Sequence, residues 1–201
     1  MRGRKIGLLG GSFNPAHEGH RYISAMALRT LDLDQVWWLV SPQNPLKSAE
    51  GMADYQSRIA AAKAVARNPN IVVSDIEQQL GQTYTANSLQ QLHAYYPDHH
   101  FVWLMGADNL VQIPNWYRWH DIFHTCPIAV FDRPGYTFAA LVGKAAAQYA
   151  KDRVFPSAPG RPVKNFALLE APAWTFIPTT KHKLSSTYMR KRTKKTVKAC
   201  S

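Results

Sequence analysis

Cysteine is scarce in this chain: there are two, Cys126 and Cys200, among 201 residues. Two isolated thiols form neither a disulfide framework nor a zinc-ligand pattern. They point to a reducing compartment. Long apolar runs are missing too, and none approaches the roughly 20 residues that span a bilayer. The basic N-terminus leads into an apolar stretch that breaks at Gly10-Gly11 and enters a polar, His-containing segment. That stretch is too short for a signal-peptide core and has no cleavage site. The expectation is a soluble, cytoplasmic protein with no membrane partner. Acidic residues are outnumbered, 13 against 24 Lys and Arg, for a formal net charge of +11. That sign admits nucleic acid, an anionic membrane or phosphorylated small molecules as partners. Much of the excess lies in Arg190, Lys191, Arg192, Lys194, Lys195 and Lys198. Such a run reads as a solvated tail, so charge alone selects no partner. Repeats are absent.

What is present is a globular composition, 46% hydrophobic and 18% charged, in a chain long enough to bury a core without staples. Lys5 to Leu9, Gln35 to Val40, Ile71 to Ser74, Phe101 to Met105, Pro127 to Phe131 and Trp174 to Ile177 read as strands. Ile76 to Gln79 reads as an extension of the third strand or a piece following it. Gly10-Gly11 reads as a turn and Ser41 to Met52 as a loop. Helical spacing covers Glu18 to Leu31, Ala53 to Ala66, Thr85 to Tyr95 and Thr137 to Ala150, and Ser186 to Arg192 reads as a short closing helix. Lys151 to Lys164 reads as an exposed loop. Alternating strands and helices imply right-handed βαβ units and a doubly wound, mostly parallel sheet. Continuously apolar strands such as QVWWLV and FVWLM fit a sheet covered on both faces. The reading is an α/β fold in a single domain over residues 1–192, followed by a basic tail over 193–201.

The segment Gly10-Gly11-Ser12-Phe13-Asn14-Pro15-Ala16-His17-Glu18-Gly19-His20 lies between the first strand and the first helix. Ligands of open α/β sheets bind at the carboxyl ends of strands. A helix start offers unpaired N–H groups and partial positive charge to an anion. Two glycines would let a phosphate approach the backbone. No Gly-Lys-Ser/Thr follows, so this is not a Walker loop, and it is not Gly-x-Gly-x-x-Gly. His17 and His20, three apart at a helix start, would share a face that Gly19 leaves open. Two imidazole N–H donors there suit phosphoryl transfer, in which charge grows on the transferred group and the leaving pyrophosphate. As metal ligands the pair has the wrong spacing for a metalloprotease zinc site, so no metal ligand is assigned. Near the other end, Ser185, Ser186 and Thr187 offer hydroxyls and N–H groups at a helix start, and Arg190 lies one turn on with a phosphate-binding fork. The alternative is a plain N-capped surface helix.

Gly11-Ser12-Phe13-Asn14-Pro15-x-His17-x-Gly19-His20 resembles the first signature of the nucleotidyltransferase superfamily, and Leu184-Ser185-Ser186-Thr187-Tyr188-Met189-Arg190 resembles its second. That superfamily joins nucleotides with release of pyrophosphate on a Rossmann-like sheet. Over roughly Lys5 to Arg192 the chain is similar to the nicotinate-nucleotide adenylyltransferase family. The resemblance rests on Ser41 to Lys47, Tyr84-Thr85 with Ser88-Leu89, Gly106-Ala107-Asp108-Asn109-Leu110, Trp116 with Trp119, and Arg133-Pro134-Gly135. It implies adenylyl transfer from ATP to nicotinate mononucleotide in NAD biosynthesis. His17, His20, Lys47 and Arg190 would carry catalysis. ATP would meet Gly11, Ser12, Phe13, His17, His20, Gly106, Asp108, Ser185, Ser186, Thr187 and Arg190. The mononucleotide would meet Ser12, Asn14, Lys47, Thr85, Trp116, the Tyr117 backbone and Arg133. Mg²⁺ would ride on the ATP phosphates with few or no protein ligands.

The matches also have physical counterparts. Asp108 follows a strand end, Trp116 offers a flat face to a pyridine ring, and Thr85 opens a helix that favours an anion. Core packing for Trp116, a cap for Thr85 and a surface position for Lys47 are the structural alternatives. Leu46 and Asn87 stand where the family usually has His and an acid, which bears on acid-versus-amide selectivity. Nicotinamide-mononucleotide and pantetheine-phosphate adenylyltransferases remain alternatives within the superfamily. A basic nucleic-acid-binding protein is the alternative outside it, and it leaves the paired histidines unexplained.

Overall fold

The computed structural model describes residues 3–42, 51–158 and 161–179. Six parallel strands form one sheet: β1 Lys5–Gly11, β2 Gln35–Val40, β3 Ile71–Ser74, β4 His100–Gly106, β5 Ile128–Phe131 and β6 Trp174–Ile177. Their order is β3-β2-β1-β4-β5-β6, every neighbouring pair parallel. The strand order therefore reverses between β1 and β4. The helices are α1 Glu18–Thr30, α2 Tyr55–Val65, α3 Ile76–Gln79, α4 Thr85–Tyr95, α5 Ala107–Gln112, α6 Trp119–Thr125, α7 Thr137–Val142 and α8 Lys144–Gln148.

Strand side chains alternate between two cores. Ile6, Leu8, Phe101, Trp103, Met105, Ile128 and Val130 lie on one face with Leu89 and Leu92 of α4 and Ile122 and Phe123 of α6. Leu9, Val36, Trp38, Val102, Leu104, Ala129 and Phe131 lie on the other with Ala27 of α1, Ile59 and Ala62 of α2, and Phe166. Both faces are covered, as the continuously apolar strands require.

Three expectations change, and the structure decides between the two readings of Ile76 to Gln79. Gly10 and Gly11 are not a turn: they pair with Leu39 and Val40 as the last residues of β1. Gly10 is small because the Trp103 indole lies across it. A Cβ there would stand 2.3 Å from Trp103 Cη2. Ile76–Gln79 is one helical turn entered at Asp75, too short to show periodicity. The helix expected from Thr137 to Ala150 divides at Gly143, whose extended backbone (ψ 167°) caps α8. The loop expected to be exposed carries Val163, which packs against the second core while its N–H donates to Thr30 O at 2.8 Å. Helices α5 and α6 were not expected from sequence. The expected closing helix and the basic tail lie outside the described residues.

Candidate active site

The carboxyl ends of β1 and β4 flank the point where strand order reverses, and a sheet of this kind opens its ligand crevice there. The segment leaving β1 begins with buried Ser12 and with Phe13, which takes a left-handed backbone (φ 46°). The Phe13 ring is buried, stacked on Trp38 with centroids 5.1 Å apart and tilted on His20 at 4.7 Å.

His17 is not within the helix. It is the N-cap of α1, and His20 is the third helical residue. The two close a reciprocal capping box. His17 Nδ1 accepts from Gly19 N at 3.1 Å, and His20 Nδ1 accepts from His17 N at 3.1 Å. A ring nitrogen that accepts a backbone N–H carries no proton, so the neutral tautomer of both rings has its proton on Nε2. The ring centroids are 3.9 Å apart. The cap thus turns two imidazoles into a pair of fixed N–H donors at the start of a helix. Behind them, Trp38 Nε1 donates to Ser24 Oγ at 2.7 Å, and Ser24 Oγ donates to His20 O at 2.9 Å. This relay ties the His20 backbone to β2.

Asn14 joins the same turn to the entry of α2. Its Nδ2 donates to Gly51 O at 3.1 Å and its Oδ1 accepts from Ala53 N at 3.3 Å. Arg58, on α2, reaches the turn from beneath the surface and is only 2% exposed. Its Nη1 donates to Ser12 O at 2.8 Å and to Ser41 O at 2.7 Å, its Nη2 to Pro42 O at 2.7 Å, and its Nε to Ala53 O at 3.1 Å.

At the end of β4, the Asp108 carboxylate forms an ion pair with Arg133, which follows β5. Its Oδ1 is buried with no hydrogen-bond partner among the described residues. That oxygen folds over Gly106, where a Cβ would stand 2.5 Å from it. The glycine therefore makes room for the carboxylate.

Thr85, half-buried, is the first residue of α4. The preceding Tyr84 ring meets the Tyr117 ring at 4.7 Å, so the start of α4 and the Trp116-Tyr117 segment stand together. Trp116 is half-buried against the first core, and Tyr117 is 52% exposed. Trp119, by contrast, is a core residue in edge contact with Phe123 and Tyr149. Beneath α4, Ser88 Oγ donates to the buried Glu77 carboxylate at 2.9 Å. Burial raises the Glu77 pKa to about 7, against the lowering effect of that hydrogen bond.

Lys47, Ser185, Ser186, Thr187 and Arg190 lie outside the described residues. Three features escaped the sequence reading: Arg58, the Trp38–Ser24 relay and the Glu77–Ser88 pair. Arg58 had a signal, since it lies on the buried stripe of α2 with Ile59 and Ala62, where an arginine is out of place.

The cytidylyltransferase-like family model matches residues 8–192. A protein of Parvibaculum lavamentivorans named "Probable nicotinate-nucleotide adenylyltransferase" is 51% identical over 190 residues, 94% of this chain and 92% of that one. One of the same name from Roseobacter denitrificans is 47% identical, covering 94% and 93% of the two chains. Among solved structures, the Plasmodium falciparum nicotinic acid mononucleotide adenylyltransferase complexed with NaAD aligns with a TM-score of 0.71 at 16% identity, over 94% of this chain and 83% of that one. The last comparison establishes the shared fold; the first three place the chain in the cytidylyltransferase-like family and, within it, among the nicotinate-nucleotide adenylyltransferases.

Proposed function

We infer that this protein transfers the adenylyl group of ATP to nicotinate mononucleotide, giving nicotinate adenine dinucleotide and pyrophosphate. The observation that carries the chemistry is the capping box of α1, which fixes two Nε2–H donors where strand order reverses. The acceptor follows from the named relatives at 47–51% identity over most of the chain.

An oxygen of the mononucleotide phosphate attacks the α-phosphorus of ATP in line. A P–O bond forms to the acceptor, the bond to the bridging β-oxygen breaks, and its electron pair leaves with pyrophosphate. No protein nucleophile is required, so positioning and charge neutralisation do the work. His17 and His20 donate to the oxygens on which charge develops. The start of α4 with Thr85 and the Trp116-Tyr117 segment receive the nicotinate ring and carboxylate. Asp108 and Arg133 are assigned to ribose and phosphate, a division that requires their ion pair to open or to share its partners. ATP would bring Mg²⁺ with it, an ion that would supply charge neutralisation for the leaving pyrophosphate with few or no ligands from this chain. Lys47, Ser185, Ser186, Thr187 and Arg190 are proposed to complete the triphosphate contacts. The proposed compartment is the cytoplasm, and no described helix is long and apolar enough to cross a membrane.

The test is product analysis after mixing the protein with ATP, Mg²⁺ and, separately, nicotinate mononucleotide, nicotinamide mononucleotide and phosphopantetheine. Nicotinate adenine dinucleotide is the expected main product. Preferential use of either other acceptor would overturn the substrate reading, and no pyrophosphate release with any would overturn the adenylyl-transfer reading.

A further inference from the structure

Arg58 is a buried cation without a carboxylate: among the described residues no acidic side chain makes an ion pair with it. Taking a guanidinium out of water costs several kcal/mol unless its N–H groups are satisfied. Here four carbonyl oxygens satisfy them, and they come from three separate stretches of chain: Ser12 after β1, Ser41 and Pro42 after β2, and Ala53 before α2. The face of Tyr55 lies 5.2 Å from the guanidinium carbon, and Tyr55 Oη donates to Val40 O at 3.1 Å, closing the same corner from the side. A lone stability role would be served as well by an apolar residue, since buried ionic groups are replaceable by packed hydrophobics at little or no cost. What only a planar fork can do is hold several carbonyls in one fixed geometry.

We propose that Arg58 is a positioning residue for adenylyl transfer: it clamps the backbone of the turn carrying Ser12 to the end of β2, and so sets where the paired imidazoles of α1 stand relative to the sheet. Ser12 is five residues before His17. A displaced Ser12 backbone moves the entry to α1 with it. Catalysis by fixed donors is sensitive to shifts of about 1 Å. Since no carboxylate among the described residues forms an ion pair with it, the guanidinium also leaves positive charge in the wall behind a turn proposed to receive phosphates.

The inference rests on the adenylyl-transfer reading, and its test is separable from it. The full-length parent is first shown to make dinucleotide from ATP and nicotinate mononucleotide; if it does not, that reading fails and not this one. Arg58→Lys and Arg58→Met are then assayed well below their own melting temperatures, with folding verified by circular dichroism. The expected result is a kcat reduced at least about tenfold in both, with KM for each substrate changed by less than about threefold, as for loss of positioning in the transition state alone. Hydrogen exchange is expected to quicken at the amides of His17, Gly19 and Ser41 while the β4 and β5 amides keep their protection. Parent-like kcat in the folded lysine and methionine variants would overturn the proposal. So would a failure of both to fold, which would make Arg58 a residue of global stability and not of local position.

Discussion

Replacing Glu77 by glutamine removes a charge that the fold buries without a cationic partner among the described residues. Burial raises the carboxyl from its ordinary 4.5 to about 7. At pH values below the lower figure the group is neutral folded and unfolded, and favours neither state. Between the two, the unfolded chain ionises while the folded chain holds its proton, so stability falls as pH rises. Above the upper figure both states are ionised, and the folded state carries the full cost of the buried charge. At about 1.4 kcal/mol per pH unit of displacement, that cost is about 3 kcal/mol at most. Glutamine keeps the volume and retains a carbonyl oxygen to accept from Ser88 Oγ, as Glu77 does at 2.9 Å. Glu77→Gln is therefore expected to raise stability by up to about 3 kcal/mol at about pH 8, and by nearly nothing towards about pH 4.5. In a domain of this size the upper figure corresponds to a melting point higher by about 6–12 °C. Urea midpoints measured across that pH range read the effect directly. A gain independent of pH, or a loss of stability on the alkaline side, would refute the argument, because either requires that Glu77 is not desolvated as described.

The remaining predictions concern the turn after β1 and the core. His17→Asn keeps an oxygen that can cap α1 but removes the Nε2 donor, so melting temperature should stay near that of the parent while turnover falls about a hundredfold. His20→Ala should lower turnover as much and also cost about 1 kcal/mol of stability through the broken capping box, and near-normal turnover at saturating ATP would refute the donor role. Gly10→Ala places a methyl 2.3 Å from Trp103 Cη2 and should destabilise by about 1–3 kcal/mol in chemical denaturation. Cys126 is fully buried, with its thiol pushed up to about 12 by desolvation, so in a Cys200→Ser background a thiol reagent should label the native protein only on unfolding.

The sheet was legible because its strands are short, apolar and separated by helical periodicity, and β2, β3 and β6 fall where the apolar runs place them. The histidine pair was legible as a motif, but its mechanics were not. From spacing alone both rings belong to one helical face. In the structure His17 stands outside the helix, and each Nδ1 is consumed by a backbone N–H, which is what leaves Nε2 as the proton-bearing atom of both rings. A capping box made of two imidazoles is invisible to a search for Ser or Thr with Glu or Gln. Gly10 misled for a related reason. A glycine pair after an apolar run signals a turn when only local chemistry is considered, whereas this one answers to an indole about 90 residues away in sequence.

The two buried charges show why the deeper parts of the site resist a sequence reading. A helical pattern identifies a buried stripe by its apolar members, so Arg58 and Glu77 register as exposed by default. Among the described residues their hydrogen-bond partners are not charged groups that could be matched by sign. Arg58 is held by four main-chain carbonyls, which every residue possesses, and Glu77 by a single serine hydroxyl. The two groups also act differently. Arginine remains charged when buried, so it must be surrounded by acceptors, and those acceptors are fixed in turn by it. A carboxyl takes up a proton instead, and so tolerates a poorer environment at the cost of a stability that depends on pH. Arg58 is therefore suited to hold backbone in place at any working pH, while Glu77, under the start of α4, makes the anchoring of that helix a function of pH. It follows that raising the pH should loosen the α4 corner while leaving the turn after β1 in place, so that within one protein the acceptor side of the site softens before the catalytic side does.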